Sequence, residues 1–183
     1  MSNFEIEIRG LLNPSQKKKL ESFLAKNGKL VKKYKRIQWI FGLSHYKKID
    51  LRIKNTNGNF EFSLKTGAAH KFNRKEISIP FPKEEAEQAL EFLKYLGHNE
   101  GLLAYRNANI YEYDGIEWAV VEVPNHSFYF EAEKLVKTKE AGEKAEKEIR
   151  EVVKKLGLGV LTPKQTIDYI KKLDKEANKY FKL

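Results

Sequence analysis

The stretch Phe4-Glu5-Ile6-Glu7-Ile8-Arg9 alternates apolar and charged residues without a break. Because successive side chains of a β-strand point to opposite faces, it predicts a strand with one apolar face and one ionised face. Later stretches with the character of strands repeat the arrangement at Arg52 and Lys54, Lys65, Arg74 and Glu76, and Glu131 and Glu133. Strand after strand therefore carries its charge on one face.

This charged face has two interpretations. In the first, it is the wet side of an ordinary open sheet. In the second, the sheet closes with its helices outside and the charged face lines the interior. Such an interior cannot be dry, since burying a lone ion costs several kcal/mol. It would hold water, or a divalent cation on the carboxylates and an anionic ligand on the arginines and lysines.

The remaining elements follow from periodicity and from start and stop residues. Eight stretches are typical of strands and are mostly joined by short turns such as Asn57-Gly58 and Asp114-Gly115, which favours an antiparallel sheet or barrel. Asn13-Pro14-Ser15-Gln16 and Thr162-Pro163-Lys164-Gln165 are capping boxes that predict helix starts. Further helices are predicted over 83–96 and 138–156, and the last helix carries an apolar stripe that reaches Phe181.

Length and composition set broad limits. A chain of 183 residues suits one domain, which we divide into a β domain at 1–135 and a helical extension at 136–183. The lack of cysteine excludes disulfides, thiolate metal sites and cysteine nucleophiles, and it fits a cytoplasmic protein. No apolar stretch approaches the roughly 18 residues of a membrane helix, so no membrane partner is expected.

The net charge of +10 suggests an anionic partner. The excess lies in 14–36 and 134–183, where we favour a solvated lysine-rich face over a nucleic-acid interface. Glycine-rich phosphate loops and the HExxH zinc motif are absent from the sequence. We interpret the four histidines, including His126 in a turn, as surface or packing residues.

Taken in order, the strand motifs resemble those of the CYTH superfamily, the triphosphate tunnel metalloenzymes. Glu5 to Arg9 resembles the ExExK signature, with Arg in the last place. The later segments that resemble family motifs are Arg52-Ile53-Lys54, Phe62-Ser63-Leu64-Lys65, Arg74-Lys75-Glu76, Arg106, Val121-Glu122-Val123 and Phe130-Glu131-Ala132-Glu133. The resemblance covers residues 4 to 133.

The resemblance implies an α+β fold: an eight-stranded antiparallel β-barrel, or tunnel, with helices packed outside. It implies Mg²⁺ or Mn²⁺ as cofactor on the carboxylates of Glu5, Glu7, Glu122, Glu131 and Glu133. It also implies a triphosphate or nucleotide held by Arg9, Arg52, Lys54, Lys65, Arg74 and Arg106. Within that set, Arg9, Lys65 and Arg106 are the predicted catalytic residues.

Three functions stay open at this point. The first is metal-dependent hydrolysis of a triphosphate, the second is a class IV-like adenylyl cyclase, and the third is a binding protein without turnover. Arg9 in place of the usual Lys motivates the third, because Arg stays protonated and is a poor base. Ala104, where the family has a basic residue, points the same way. A homodimer is a further possibility that the sequence leaves open.

Overall fold

The computed structural model describes residues 4–41, 49–66, 73–74 and 76–183. The helices in these ranges are α1 (Pro14–Asn27), α2 (Ala86–Tyr95), α3 (Lys139–Lys155) and α4 (Pro163–Glu176). The strands are β1 (Phe4–Leu12), β2 (Lys29–Phe41), β3 (Ile49–Thr56), β4 (Asn59–Thr66), β5 (Asn73–Arg74), β6 (Glu76–Phe81), β7 (Glu100–Tyr113), β8 (Ile116–Val123), β9 (Ser127–Val136) and β10 (Lys179–Lys182).

The strands form a single antiparallel sheet. Its order is β5-β1-β9-β8-β7-β2-β3-β4-β6, and β10 pairs with β7 outside this path. The α+β class, with an antiparallel sheet and four helices over the described ranges, is thereby confirmed, although these ranges contain ten strands where the sequence predicted eight. The stretch predicted as one strand at 72–80 contributes β5 and β6. Closure of the sheet into a barrel stays a prediction.

The apolar face of the sheet packs against α1 and α3. Ile8 of β1, Trp118 of β8 and Phe130 of β9 are fully buried together with Ile149 and Val153 of α3. Each such side chain contributes roughly 1.5–3 kcal/mol by leaving water. Since the apolar residues of these strands face the helices, the charged residues of β1 and β9 point to the other side of the sheet.

Both predicted capping boxes are present. The Asn13 side chain accepts a hydrogen bond from the Gln16 backbone, and the Gln16 side chain accepts one from the Asn13 backbone. Thr162 and Gln165 make the same reciprocal pair at the start of α4. These pairs satisfy backbone N–H groups that a helix start leaves without partners. Among the described residues, no helix is long and apolar enough to cross a membrane.

The prediction that the last helix reaches Phe181 is wrong. Helix α4 ends at Glu176, and Lys179–Lys182 form β10 along Glu100–Leu103 of β7. Strand β8 pairs with β7 only from Asn107 onward. The preceding residues of β7 therefore have an edge that is open to β10. Phe181 anchors β10, with its ring 5.5 Å from that of Phe41. The division of the chain at residue 135 stays a prediction.

We expect Phe181→Ala to lower the free energy of unfolding by about 2 kcal/mol, because it removes this half-buried aromatic contact. Tyr180→Ala is the matched control on the same strand: Tyr180 is 59% exposed, and its loss should cost less than about 0.5 kcal/mol. Urea unfolding followed by circular dichroism measures both. Equal effects of the two substitutions would contradict the placement of β10.

Candidate active site

The charged face of the sheet surrounds a cavity of about 300 Å³. Its lining includes nine of the residues that the sequence analysis assigned to metal or phosphate: Glu5, Glu7, Arg9, Arg52, Lys54, Lys65, Arg106, Glu131 and Glu133. They come from β1, β3, β4, β7 and β9, which lie far apart in sequence. The structure therefore brings them together, while their roles in binding and catalysis stay predictions.

Two predicted residues do not belong to this described lining. Glu122 lies in a separate groove with Asn107 and Lys35, because odd-numbered residues of β8, such as Glu117 and Ala119, face the cavity. The assignment of Glu122 to the metal site is therefore not supported by its position. The backbone of Arg74 pairs opposite Glu5 in the β1–β5 register, and its side chain lies outside the described part of the structure.

The cavity also contains charged residues that the sequence analysis did not assign to the site. Glu117 joins the carboxylates, and Arg36 joins the cations from β2. Arg36 lies in the lysine-rich segment that we interpreted as a solvated face. Alternation along β2 places Arg36 on one face with Lys32, Tyr34, Gln38 and Ile40, which all line the cavity. Lys33 and Lys35 carry charge on the other face, so the sequence does not show which face is the inner one.

Carboxylates form a row across three neighbouring strands. Glu133 of β9 lies opposite Glu7 of β1 on one side and opposite Glu117 of β8 on the other. Burial raises the pKa of Glu133 to about 8, and Glu5, Glu7, Glu131 and Glu117 reinforce the shift by repulsion. Within the described part of the chain, Glu133 makes no ion pair that would offset this repulsion. Full ionisation of the row would therefore leave negative charge uncompensated, and Glu133 avoids this by holding its proton up to about pH 8.

Arg9 and Lys65 neutralise Glu7 of this row and two carboxylates beside it, Glu131 and Glu5. Arg9 pairs with Glu7, and its Nη2 lies 2.8 Å from Glu131 Oε1. Burial alone would lower the pKa of Arg9, but these two carboxylates outweigh it and raise the pKa further above its ordinary value. Arg9 therefore stays protonated, so it can hold an anion but cannot accept a proton.

Lys65, Lys54 and Ser63 converge on Glu76. The Nζ atoms of Lys54 and Lys65 lie 2.7 and 3.1 Å from the Glu76 carboxylate, and Ser63 Oγ donates to it at 2.7 Å. Burial would raise the pKa of Glu76, but the two lysines and Ser63 lower it well below the ordinary range. Lys65 also reaches Glu5 at 3.1 Å, which links β4 to β1 across the cavity.

The two arginines Arg36 and Arg106 face each other directly in the register of β2 and β7. Arg106 is 7% exposed and donates only to neutral acceptors, the Tyr105 carbonyl at 2.7 Å and Asn178 Oδ1 at 3.1 Å. Arg36 donates to Thr56 Oγ1 at 2.9 Å. Among the described residues, neither guanidinium has a carboxylate partner. Like charges opposite each other destabilise a sheet, so this pair is suited to a bridging anion.

Helix α4 closes one side of the cavity. Thr166, Tyr169, Ile170 and Leu173 lie along the lining, and the Tyr169 ring makes an edge contact with Tyr129 at 5.9 Å. Asn178, just after the helix, accepts from Arg106 and donates to Asp174 at 2.9 Å. The C-terminal segment is therefore part of the site, a role that the sequence analysis did not assign to it.

The carboxylate row fits a hard divalent cation by its chemistry. Oxygen donors are the ligands that Mg²⁺ and Mn²⁺ prefer, and a cation beside Glu133 would relieve the repulsion that raises its pKa. In the described ranges, however, no three carboxylate or imidazole groups are already arranged as metal ligands. The side chains of Glu5, Glu7 and Glu131 are turned toward Lys65 and Arg9 instead.

Comparisons with solved structures find the same architecture over most of the chain. A protein of Pyrococcus horikoshii has 20% identity and a TM-score of 0.75, covering 92% of this chain and 98% of its own. A candidate adenylate cyclase of Vibrio parahaemolyticus has 10% identity and a TM-score of 0.71, with coverages of 92% and 99%. A Hippeastrum protein described as a candidate adenylyl cyclase with a dominant triphosphatase activity has 15% identity and a TM-score of 0.60, with coverages of 86% and 89%.

This chain has the CYTH fold. The structural neighbours are CYTH-like proteins, as the motif order had predicted. No protein-family model and no curated protein matches the sequence. At these identities the likeness establishes the fold of the chain and leaves its activity to be argued from the cavity.

We expect Glu76→Gln to lower the free energy of unfolding at pH 7 by about 2 kcal/mol, since it deprives the buried Lys54 of its nearest charge partner. The pKa of Glu76 is lowered in the folded state, so its stabilisation is present above about pH 4.5 and is lost as the pH falls. The difference between the two proteins should therefore shrink in acid. Urea titrations at pH 7 and pH 3 measure it.

The matched control is Glu61→Gln. Glu61 also pairs with Lys54, at 3.2 Å, but its side chain is 30% exposed, so this substitution should cost less than about 1 kcal/mol. Two results would contradict the assignment of Glu76 as the main charge partner of Lys54 and Lys65. One is a larger loss of unfolding free energy in Glu61→Gln than in Glu76→Gln, and the other is a loss in Glu76→Gln that grows as the pH falls.

We expect Glu133→Gln to raise the free energy of unfolding of the metal-free protein by about 1 kcal/mol at pH 9, because it removes one charge from the carboxylate row. Glu122→Gln, on the opposite face of the sheet, is the control and should change it by less than about 0.5 kcal/mol. Both are measured by urea unfolding in the presence of a chelator. Destabilisation by Glu133→Gln alone would show that the row is already neutralised.

Proposed function

We propose that this protein binds a triphosphate compound in the cavity, together with a divalent cation, and hydrolyses it. The observation that carries the proposal is the distribution of charge. Among the described residues, the lining has seven cations (Arg9, Lys32, Arg36, Arg52, Lys54, Lys65, Arg106) and seven carboxylates (Glu5, Glu7, Glu76, Glu117, Glu131, Glu133, Asp174). Although the numbers balance, like charges are gathered at the carboxylate row and at the Arg36–Arg106 pair.

A polyphosphate with a bound cation complements both groups at once. Its phosphate oxygens suit Arg36 and Arg106, which can each donate two parallel hydrogen bonds. Glu5, Glu7, Glu131 and Glu133 would hold the cation, which would supply charge neutralisation and polarise a phosphate oxygen. Ordinary anions such as a carboxylate would occupy the arginine pair but leave the repulsion among the carboxylates in place.

Hydrolysis then depends on positioning and on charge stabilisation. A water oxygen forms a bond to the terminal phosphorus, and the bridging P–O bond breaks with its electron pair leaving on the diphosphate. Arg9, Arg52, Lys54 and Lys65 would hold the phosphate oxygens in place as charge shifts onto the leaving group. The triphosphatase activity stated for the Hippeastrum protein supports hydrolysis over cyclisation.

We also propose that the sheet closes into a tunnel. The two ends of the strand order are β5 and β6, and they are separated by a single residue along the chain. The contact of Lys65 in β4 with Glu5 in β1 supports the same closure, because it links strands at opposite ends of that order. A tunnel would exclude bulk water from the charged lining and so strengthen its interactions with a phosphate.

The test is phosphate release from tripolyphosphate with Mg²⁺ or Mn²⁺, and with a chelator as the blank. We expect metal-dependent release, and we expect Arg36→Gln and Arg106→Gln each to lower kcat/KM at least tenfold. Lys33→Gln is the matched control, since Lys33 is exposed on β2 outside the cavity lining and should leave the activity unchanged.

Other outcomes separate the alternatives. Conversion of ATP to cyclic AMP and pyrophosphate, without release from tripolyphosphate, would establish a cyclase instead. Tight tripolyphosphate binding that Arg106→Gln weakens, without product under either metal, would establish a binding protein. If tripolyphosphate neither binds nor reacts, the proposal fails.

A further inference from the structure

Four side chains form a continuous hydrogen-bonded chain from the cavity to the surface. Tyr169, on the cavity lining, lies 2.8 Å from Ser127 Oγ through its hydroxyl. Ser127 Oγ lies 2.7 Å from His126 Nδ1, and His126 Nε2 lies 3.1 Å from Glu176 Oε2. The Glu176 side chain is 46% exposed, whereas that of His126 is 14% exposed. His126, interpreted from the sequence as a surface or packing residue, is thus the centre of a network.

The donor and acceptor roles in this chain follow from its exposed end. An ionised carboxylate only accepts hydrogen bonds, so the proton of a neutral His126 lies on Nε2 and is donated to Glu176. Nδ1 is then an acceptor, and Ser127 must donate to it. The Ser127 oxygen in turn accepts from the Tyr169 hydroxyl. All three hydrogen bonds therefore point outward, and the Tyr169 oxygen keeps its lone pairs for a proton donor in the cavity.

Tyr169 and Glu176, the two ends of this hydrogen-bonded chain, lie in the environments that proton transfer needs. At the inner end, Tyr169 packs against Tyr129 beside the cations and carboxylates of the cavity. At the outer end, Glu176 is also within 3.9 Å of Lys172 and meets solvent. His126 lies in the turn between β8 and β9, Ser127 is the first residue of β9, and α4 supplies Tyr169 and Glu176. Strand β9 also carries Glu131 and Glu133, which lie farther along it than Ser127.

We infer that Tyr169, Ser127, His126 and Glu176 carry a proton out of the cavity during turnover. The inference rests on the proposed hydrolysis, whose attacking water must lose a proton inside an enclosed site. As the water oxygen bonds to phosphorus and the bridging P–O bond breaks, one water proton passes to Tyr169 Oη. The Tyr169 proton moves to Ser127 Oγ, the Ser127 proton to His126 Nδ1, and the Nε2 proton to Glu176 and then to solvent.

Tyr169 supplies the proton acceptor that Arg9 cannot provide. Arg9 stays protonated between Glu7 and Glu131, so it cannot take the proton of the attacking water. Tyr169 is the group that contacts substrate water, whereas Ser127, His126 and Glu176 act through it as positioning and relay residues. Hydroxyl rotation and exchange with solvent at His126 restore the starting arrangement after each turnover.

The kinetic test uses tripolyphosphate with Mg²⁺ or Mn²⁺ and the full chain. Tyr169→Phe and Ser127→Ala should each lower kcat roughly 10- to 100-fold and change KM less than about threefold, because proton transfer is lost and phosphate binding is kept. His126→Ala should lose a similar factor and recover part of it with added imidazole. Tyr180→Phe is the control: it removes the hydroxyl that hydrogen-bonds Glu100 outside the cavity, and it should be neutral.

A second readout does not depend on activity. Nitrogen-15 NMR of the imidazole should find the His126 proton on Nε2 in the wild type at neutral pH, and thermal melts should show that Tyr169→Phe remains folded. A proton on Nδ1 would reverse the chain and overturn the inference. Unchanged kcat in Tyr169→Phe, with an active wild type, would overturn it and leave the proposed function standing.

If the wild type itself releases no phosphate, the proposed function fails, and the inferred proton transfer during turnover fails with it. The Nε2 tautomer would then support only the direction of the hydrogen bonds. The two failures are therefore distinguishable, since a loss confined to the relay variants concerns the proton path and a silent wild type concerns the activity.

Discussion

Partly buried like charges repel one another across β1, β9 and β8, and apolar packing on the other face of the sheet prevents them from moving apart. The apolar faces of β1, β8 and β9 pack on α1 and α3, and this packing turns the opposite faces, with their carboxylates, toward a common space. Glu7, Glu133 and Glu117 cannot separate without breaking the strand register. The free energy gained by burying these apolar faces therefore keeps the charged side chains close together, whereas in an unfolded chain they would lie far apart. Such an arrangement is expected of a preorganised ionic site.

The free protein relieves part of this repulsion internally. Arg9 pairs with Glu7 and Glu131, and Lys65 lies between Glu5 and Glu76. Each of these contacts would have to exchange partners when a polyphosphate and a cation enter, because the same cations suit phosphate and the same carboxylates suit metal. Arg36 and Arg106 need no such exchange, since no carboxylate in the described ranges occupies them. Under the proposed function, they are therefore the expected first contacts of an entering triphosphate.

How much of the site the sequence predicts depends on how cleanly each strand alternates. In β1, Glu5, Glu7 and Arg9 alternate with apolar residues, so their shared face is readable directly. In β8, Trp118 to Val121 are all buried, so apolar residues occupy both faces of the strand. The sequence then does not show which face of β8 points toward the cavity. From the sequence alone, either Glu117 or Glu122 could be the residue that faces the cavity. In the structure it is Glu117. In β2, charges on both faces concealed Arg36 in the same way.

The C-terminal segment was the least predictable part for a different reason. The stripe of Ile167, Ile170 and Leu173 indicates a helix face, and Phe181 continues its spacing by coincidence. Tertiary contacts end the helix, because the open edge of β7 pairs with β10 and Phe41 packs against Phe181. This arrangement fixes Asn178 on Arg106 and Tyr169 on Ser127. The segment contacts both Arg106, which has no carboxylate partner among the described residues, and the hydrogen-bonded chain of Tyr169 and Ser127. It would therefore link the proposed anion binding to the proposed proton exit.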